Sequence, residues 1–173
     1  MNIEHIELGS ANTNHSGHND VMIVSGGQTG VDRAALDAAL ELDVVCGGWC
    51  PKCGRKAEDG IISDKYPLVE LEQSCYRQRT KRNVLDSDAT VIIYFKYLSG
   101  GTQLTLKFCM NEKKPYLLID ASELSEQRAA QRIQKLVQGH DIKKLNFAGP
   151  RASGEPDAYH YTKDAVSRFI QAQ

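Results

Sequence analysis

No apolar run in this chain is long enough to span a bilayer, which excludes a membrane-spanning helix. The N-terminus has no signal-peptide core, so the expected location is the cytoplasm. Charge of one sign is also lacking: 21 basic against 22 acidic side chains leave a formal net charge of -1. That balance removes the electrostatic case for nucleic acid or an acidic membrane as partner. Cysteines number five, too few, too scattered and odd in count for a secreted disulfide framework, and they are expected to be reduced thiols. Neither Gly-x-Gly-x-x-Gly nor the Walker pattern is present, so a standard dinucleotide or nucleoside-triphosphate loop is not expected. No Ser/His/Asp triad is indicated; His140 and His160 stand isolated and read as surface residues. Internal repeats and a domain linker are absent as well.

What is present is a regular alternation. With 173 residues the chain is long enough for one domain with a real core. Met1 to Asp20 is polar and reads as a flexible leader, and its His5, His15 and His18 are not expected to bind metal. Residues 21–173 read as the folded domain. Val21 to Ser25 is the first strand, followed by a helix with Val31, Ala34, Ala35, Ala38, Ala39 and Leu42 on one stripe and Leu36 and Leu40 off it. Asp43 to Cys46 predicts a short strand ending at Gly47-Gly48. Pro51 to Lys65 reads as loop and Tyr66 to Leu71 as a short edge strand. A basic helix is expected over Tyr76 to Leu85, and the most β-branched strand over Ala89 to Phe95. Then come a helix from Thr102 to Asn111, a strand at Tyr116 to Ile119, an amphipathic helix from Ser122 to Gln138 stopped by Gly139, a strand from Lys144 to Ala148, and a closing helix from about Asp157. This order predicts an α/β protein, a three-layer α/β/α sandwich with a mostly parallel sheet. Ligands of such sheets bind beyond the carboxyl ends of the strands. The turns Gly26-Gly27, Gly47-Gly48, Gly100-Gly101 and Gly149-Pro150 each follow a predicted strand and are expected to share one rim.

Two of these turns carry the chemistry. Ser25-Gly26-Gly27-Gln28-Thr29-Gly30-Val31-Asp32 leads from a buried strand into a helix, and Ser99-Gly100-Gly101-Thr102 does the same later. Small residues let a ligand approach bare backbone, and helix N-terminal amides favour an anion, most often phosphate. Asp32, in the first helical turn, either stabilises the helix dipole or contacts a ribose hydroxyl, a pterin amide or a metal-bound water; beside a phosphate it needs Arg33 or another cation to offset it. Gly47 to Gly60 is the densest polar stretch. Trp49 could stack on a flat ring and Lys52, Arg55 and Lys56 could neutralise phosphate, or the stretch is a solvated basic loop. Cys50-Pro51-Lys52-Cys53 has the spacing of a redox tetrad but little helix to lower a thiol pKa, and one such pair is half a zinc site. Arg79 and Asn83 share a helix face, either toward the cleft or toward solvent. Arg151 and Ser153 follow the last strand on the same rim.

Taken together, SGGQTGVDRAALDAAL, GGWCPK, GRKAEDG, YRQRTKRNVLDSDAT, SGGT and LNFAGPRASGEP resemble the circularly permuted YpsA-like branch of the SLOG superfamily, whose members are often called molybdenum cofactor carrier proteins. The resemblance runs from about Met22 to the C-terminus. It implies a Rossmann-like fold, a homo-oligomer (dimer or tetramer), and a ligand derived from a nucleotide or pterin, for carriers the molybdenum cofactor (molybdopterin) handed on to molybdoenzymes or cofactor-insertion proteins. By residue match it implies ligand contacts at Gly26, Gly27, Thr29, Gly30, Asp32, Lys52, Arg55, Arg79, Asn83, Gly100, Gly101 and Thr102, with Gln28 in the same turn. Two departures stand out. Cys53 looks inserted relative to the family's WCPKGR, and Thr105 stands where the PGGxGTxxE of related phosphoribohydrolases places a glutamate.

The expected function is therefore binding without turnover. Phosphate would sit on the Gly26–Gly30 and Gly100–Thr102 amides, Lys52 and Arg55 would add charge, Trp49 would cover the ring, and Arg79 or Arg151 would meet molybdate oxygens. The alternative is an enzyme cleaving a nucleotide's N-glycosidic bond, with Asp32, Glu58 or Asp59 activating water. A third reading, a nucleotide-sensing regulatory module, uses the same cleft.

Overall fold

In the computed structural model, the residues described are 21–52, 55–72 and 76–173. The leader Met1 to Asp20, with its three histidines, and Cys53 lie outside them. The element order is β1 (Met22–Val24), α1 (Val31–Glu41), β2 (Cys46–Cys50), β3 (Lys56–Ala57), β4 (Gly60–Ile61), β5 (Leu68–Glu70), α2 (Tyr76–Leu85), β6 (Ala89–Tyr94), α3 (Gly100–Asn111), β7 (Tyr116–Asp120), α4 (Glu126–His140), β8 (Lys144–Ala148) and α5 (Ala158–Gln171). Six strands form one sheet in the order β5-β2-β1-β8-β6-β7, and every pairing in it is parallel. Helices α1, α4 and α5 cover one face, and α2 and α3 cover the other. The result is a Rossmann-like three-layer α/β/α sandwich. Connections run outward from β1 through α1 on one face and from β6 through α3 on the opposite face. The direction of winding reverses near β1 and β8, where such sheets open a crevice.

Local sequence explains most of these elements. The α1 alanines bring that helix close to the sheet, and Ala34, Ala35, Ala38 and Ala39 are all fully buried. Leu36, off their stripe, is equally buried because α5 packs on the second face of α1. Strand β6 is buried from Ala89 through Ile93, as its unbroken apolar sequence requires. Val91 and Ile93 point into the larger core beneath α1, α4 and α5, while Ile92 points into a smaller cluster with Val84, Phe108 and Cys109.

Four boundaries differ from the sequence expectation. Strand β2 does not end at Gly47-Gly48 but runs through them to Cys50. Gly48 has φ +138°, and a Cβ there would stand 2.0 Å from the Ser25 carbonyl oxygen, so these glycines serve close approach of two strands, not a ligand turn. The stretch after Pro51 is not all loop: β3 and β4 pair antiparallel with Glu58 and Asp59 at the hairpin tip. Helix α4 starts at Glu126, where the Ser125 hydroxyl accepts from the Arg128 amide. It also passes Gly139 and stops at Asp141, whose left-handed φ of 47° an aspartate tolerates.

One polar hub ties the layers near α5. The buried Asp37 carboxylate of α1 accepts hydrogen bonds from Tyr66 Oη at 2.8 Å, Tyr159 Oη at 2.8 Å and Lys65 Nζ at 2.9 Å. Burial works against the charged carboxylate, but the bonds from Lys65, Tyr159 and Tyr66 outweigh it and hold Asp37 below its ordinary value of 3.8. Its contribution is therefore complete at neutral pH and is lost as pH falls through that lowered value. Asp37→Asn is expected to lower stability by about 1–3 kcal/mol at neutral pH, from the loss of charge-assisted bonds. Urea unfolding across the acid range should show the gap to wild type closing as pH falls through the lowered value; a gap independent of pH would refute the assignment.

Candidate functional site

Three turns after the carboxyl ends of β1, β6 and β8 meet in one cleft of about 400 Å³. That volume lies in the range of about 300–1,000 Å³ common for small-molecule sites. Gly26, Gln28 and Asp32 reach it from the first turn, Arg79 and Asn83 from α2, Gly100, Gly101 and Thr102 from α3, and Arg151 from the turn after β8. Thr29, Gly27, Gly30, Ser153, Trp49, Lys52 and Arg55 do not line it.

The first glycine turn is braced by protein on several sides, although among the described residues the amides of Gly26, Gly27 and Gly30 have no protein acceptor. Gly30 has φ +76°, and a Cβ there would meet the Pro150 carbonyl oxygen at 2.3 Å. The Val31 amide donates to that same oxygen at 3.2 Å. The Thr29 amide donates to Gln28 Oε1 at 3.0 Å, and the Gln28 amide to Asp32 Oδ2 at 3.4 Å. The Gly27 carbonyl takes Arg33 Nε at 3.2 Å and Nη2 at 3.0 Å. The glycines here let protein approach protein.

The β3–β4 hairpin tip completes the seal. The Glu58 carboxylate accepts from the Thr29 hydroxyl, from the Ser153 amide at 3.0 Å and from the Ser153 hydroxyl, and pairs with Arg151 Nε at 3.4 Å. Bonds from Ser153 and Thr29 hold its pKa below the ordinary 4.5. Asp59 pairs with Arg33 at 3.1 Å. An internal carboxylate thus takes donors that an external anion would otherwise use at this turn.

The second turn is open. Ser99 precedes α3 without a side-chain cap, and among the described residues no protein acceptor takes the amides of Gly100, Gly101 and Thr102. A Cβ at Gly101 would meet nothing within 4 Å. Thr102 is buried, lines the cleft, and its hydroxyl has no bond to protein among the described residues. Unpaired amides and the positive end of a twelve-residue helix converge on one point of the cleft wall.

Beside them lies a buried ion pair. Arg79 Nη1 of α2 donates to Asp32 Oδ2 of α1 at 2.7 Å, with 13% and 8% of the two side chains exposed. The guanidinium crosses directly over Gly26, where a Cβ would stand 1.7 Å from Nη1. Burial pushes the Asp32 carboxyl up, and Arg79 opposes that. Arg79 Nε is buried with no acceptor.

The side chains outside the cleft have other employment. Trp49 donates its backbone amide to Asn83 Oδ1 at 2.8 Å and its indole Nε1 to Asp86 at 2.6 Å, with Arg82 over the ring at 5.0 Å. It faces the groove between α2 and the β5 edge, because continuing β2 through Gly47-Gly48 turns it there. Asn83 also donates Nδ2 to the Trp49 carbonyl at 3.1 Å, so it anchors β2 while touching the cleft. The Arg55 guanidinium is used on the carbonyls of Tyr66 at 2.7 Å, Leu68 at 2.8 Å and Ser63 at 3.1 Å. Lys52 is exposed. Cys46, Cys50 and Cys109 are free and buried, and burial pushes each thiol up, opposite to a reactive redox cysteine. Among the described residues no cluster of His, Cys, Asp and Glu has the makings of a metal site, and no helix is long and apolar enough to cross a membrane. The sequence reading missed Asn146, a buried side chain on the cleft wall; its signal is one amide between the apolar Leu145 and Phe147 within a strand.

The model of the circularly permutated YpsA SLOG family matches residues 23–170. A solved structure from Syntrophus aciditrophicus SB, named "putative molybdenum carrier protein", is 46% identical, with a TM-score of 0.84 over 87% of this chain and 95% of that one. No curated protein matches.

Removing one partner of the Asp32–Arg79 pair strands a buried charge, at a cost of about 3–5 kcal/mol. Arg79→Met is expected to lose stability on that scale at neutral pH. A carboxyl whose pKa is raised in the fold costs stability when ionised, so the deficit should shrink as pH falls and Asp32 protonates. The double variant Asp32→Asn/Arg79→Met should regain part of the loss at neutral pH. Denaturant melts of all four proteins measure this, and simple additivity would rule out the coupling.

Proposed function

The chain belongs to the circularly permutated YpsA SLOG family, and on that premise we propose that it is a molybdenum cofactor carrier, holding a phosphate-bearing pterin or related nucleotide-derived ligand in its cleft without turning it over. The observation that carries this reading is the open α3 N-terminus: the amides of Gly100, Gly101 and Thr102 have no protein acceptor and face a cleft of ligand size. A phosphate there would accept those amides and the Thr102 hydroxyl, beside the carboxylate-paired guanidiniums of Arg79 and Arg151 on the same wall. Asp32 is tolerated beside an anion because Arg79 already neutralises it. The ring would lie in the rest of the cleft, between α2 and the ends of β1 and β8. The similarity to the Syntrophus aciditrophicus protein supports molybdenum cofactor as the cargo. Delivery then calls for recipients, molybdoenzymes or cofactor-insertion proteins, and for assembly of the carrier as a homo-oligomer.

Holding is favoured over glycosidic cleavage by the state of the three candidate bases. Asp32 is bound to Arg79, Asp59 to Arg33, and Glu58 is held low by Ser153 and Thr29. A general base needs a pKa near the working pH and reach to its proton. Thr105, where a hydrolase would place an acid, donates instead to the Gly101 carbonyl at 3.0 Å.

The test is native mass spectrometry with metal analysis on protein purified anaerobically from a molybdenum-replete host, in parallel with Gly101→Val. The added side chain projects into open cleft space, so the fold should stand while the anion seat is blocked. Wild type is expected to carry a pterin mass with molybdenum, and the variant to lose about tenfold or more of that loading. A nucleotide mass without metal would transfer the function to sensing or hydrolysis. Equal loading of the two proteins would remove the phosphate from the α3 terminus.

A further inference from the structure

Under α2 and α3 the sheet shows an unusual polar side chain. Asn146 is the middle residue of β8, paired in register with Thr90 of β6 and Val24 of β1, and only 2% of it is exposed. Its neighbours Leu145 and Phe147 point into the larger core on the other face. Asn146 therefore points toward the α2–α3 layer, and it lines the floor of the cleft. Its two polar atoms have different fates. Nδ2 donates to Thr90 Oγ1 at 3.2 Å. With Nδ2 on Thr90, Oδ1 is turned away from it. Among the described residues, no donor reaches Oδ1.

Sites that leave an acceptor without a protein donor on a cavity wall discriminate for ligands that supply the missing hydrogen. The cleft offers donors at one end, where the α3 amides and Arg79 stand, and this side-chain carbonyl oxygen on its floor. Of the other two cleft amides, Asn83 has its oxygen and nitrogen engaged by the Trp49 backbone, and Gln28 has its oxygen taken by the Thr29 and Glu58 amides.

We propose that Asn146 is the specificity-determining residue of the cleft: its Oδ1 accepts a hydrogen bond from an N–H on the edge of the bound heterocycle, so the site selects rings bearing an amino or amide N–H, of the aminopurine and aminopterin type. The inference rests on the reading that the cleft holds a phosphate-bearing ring. It adds that the phosphate supplies affinity while Asn146 chooses the ring. Asn146→Leu keeps the volume and removes the acceptor. Asn146→Asp keeps an acceptor in place, with the Thr90 hydroxyl free to turn and donate to it.

The experiment is calorimetric titration of the full chain with inorganic phosphate, adenosine 5′-monophosphate, guanosine 5′-monophosphate, 6-hydroxymethylpterin phosphate and purine riboside 5′-monophosphate, whose ring has no N–H donor. Wild type is expected to bind at least one of the donor-bearing rings about tenfold or more tighter than the donor-free ribotide. Asn146→Leu should lose that advantage while binding inorganic phosphate and the donor-free ribotide as wild type does. Asn146→Asp should keep the advantage even if its charge weakens every phosphate alike. Phosphate binding with no donor preference, or a preference that survives Asn146→Leu, overturns this inference alone. Failure of every phosphate compound to bind wild type overturns the proposed function, and this inference with it.

Discussion

The rim of the sheet depends on one buried ion pair. Arg79 and Asp32 belong to helices on opposite faces, α2 and α1, and they meet at 2.7 Å beyond the end of β1. The pair passes over Gly26 because only a residue without a side chain leaves room for the guanidinium there. It sets the depth of the cleft wall and cancels the one negative charge that would otherwise repel an anion. Neither partner is replaceable by its own chemistry alone, since each is buried and each would be an uncompensated charge without the other.

The two glycine turns show how similar local sequences acquire opposite roles. Both follow a parallel strand and open a helix, and both have donors to offer. At the first, the turn after β8 and the β3–β4 hairpin fold over it, and Glu58 takes the Thr29 hydroxyl together with both Ser153 donors. At the second, nothing folds back, and the amides of Gly100, Gly101 and Thr102 stay open to the cleft. The first turn is braced by protein, with the Gly26, Gly27 and Gly30 amides left over, and the second is the more open donor face. This division also explains why Gly30 is tied to the Pro150 carbonyl while Gly101 faces empty space.

A cleft of this kind suits holding better than turnover. Its carboxylate, Asp32, is paired with Arg79, and the groups it leaves to a ligand are the α3 amides, the Thr102 hydroxyl, the Asn146 carbonyl oxygen and the Arg77 guanidinium. Such groups bind and orient without offering a base. The carboxylates that face the rim are engaged in salt bridges and hydrogen bonds that also hold the structure together, so recruiting one for catalysis would dismantle part of the rim.

Periodicity alone determined much of this fold. Helix α2 and strand β8 lie where their patterns place them, and the continuous apolar β6 could only be a strand buried on both faces. The resemblance identified the family, and the sequence placed Gly100 to Thr102 at a helix start. Spacing could not tell that Gly47-Gly48 lies inside a strand, because a glycine pair reads as a turn until the Ser25 carbonyl is seen 2.0 Å from a would-be Cβ. Nor could it assign Trp49, Arg55 and Glu58. Their partners, Asp86, the Leu68 carbonyl and Ser153, lie 37, 13 and 95 residues away in the chain. Local pattern decides which segments become helices and strands, because backbone geometry and burial repeat within a few residues. Which donors remain free for a ligand was decided only by tertiary structure, because an amide or carboxylate is open or spent according to what distant chain folds against it.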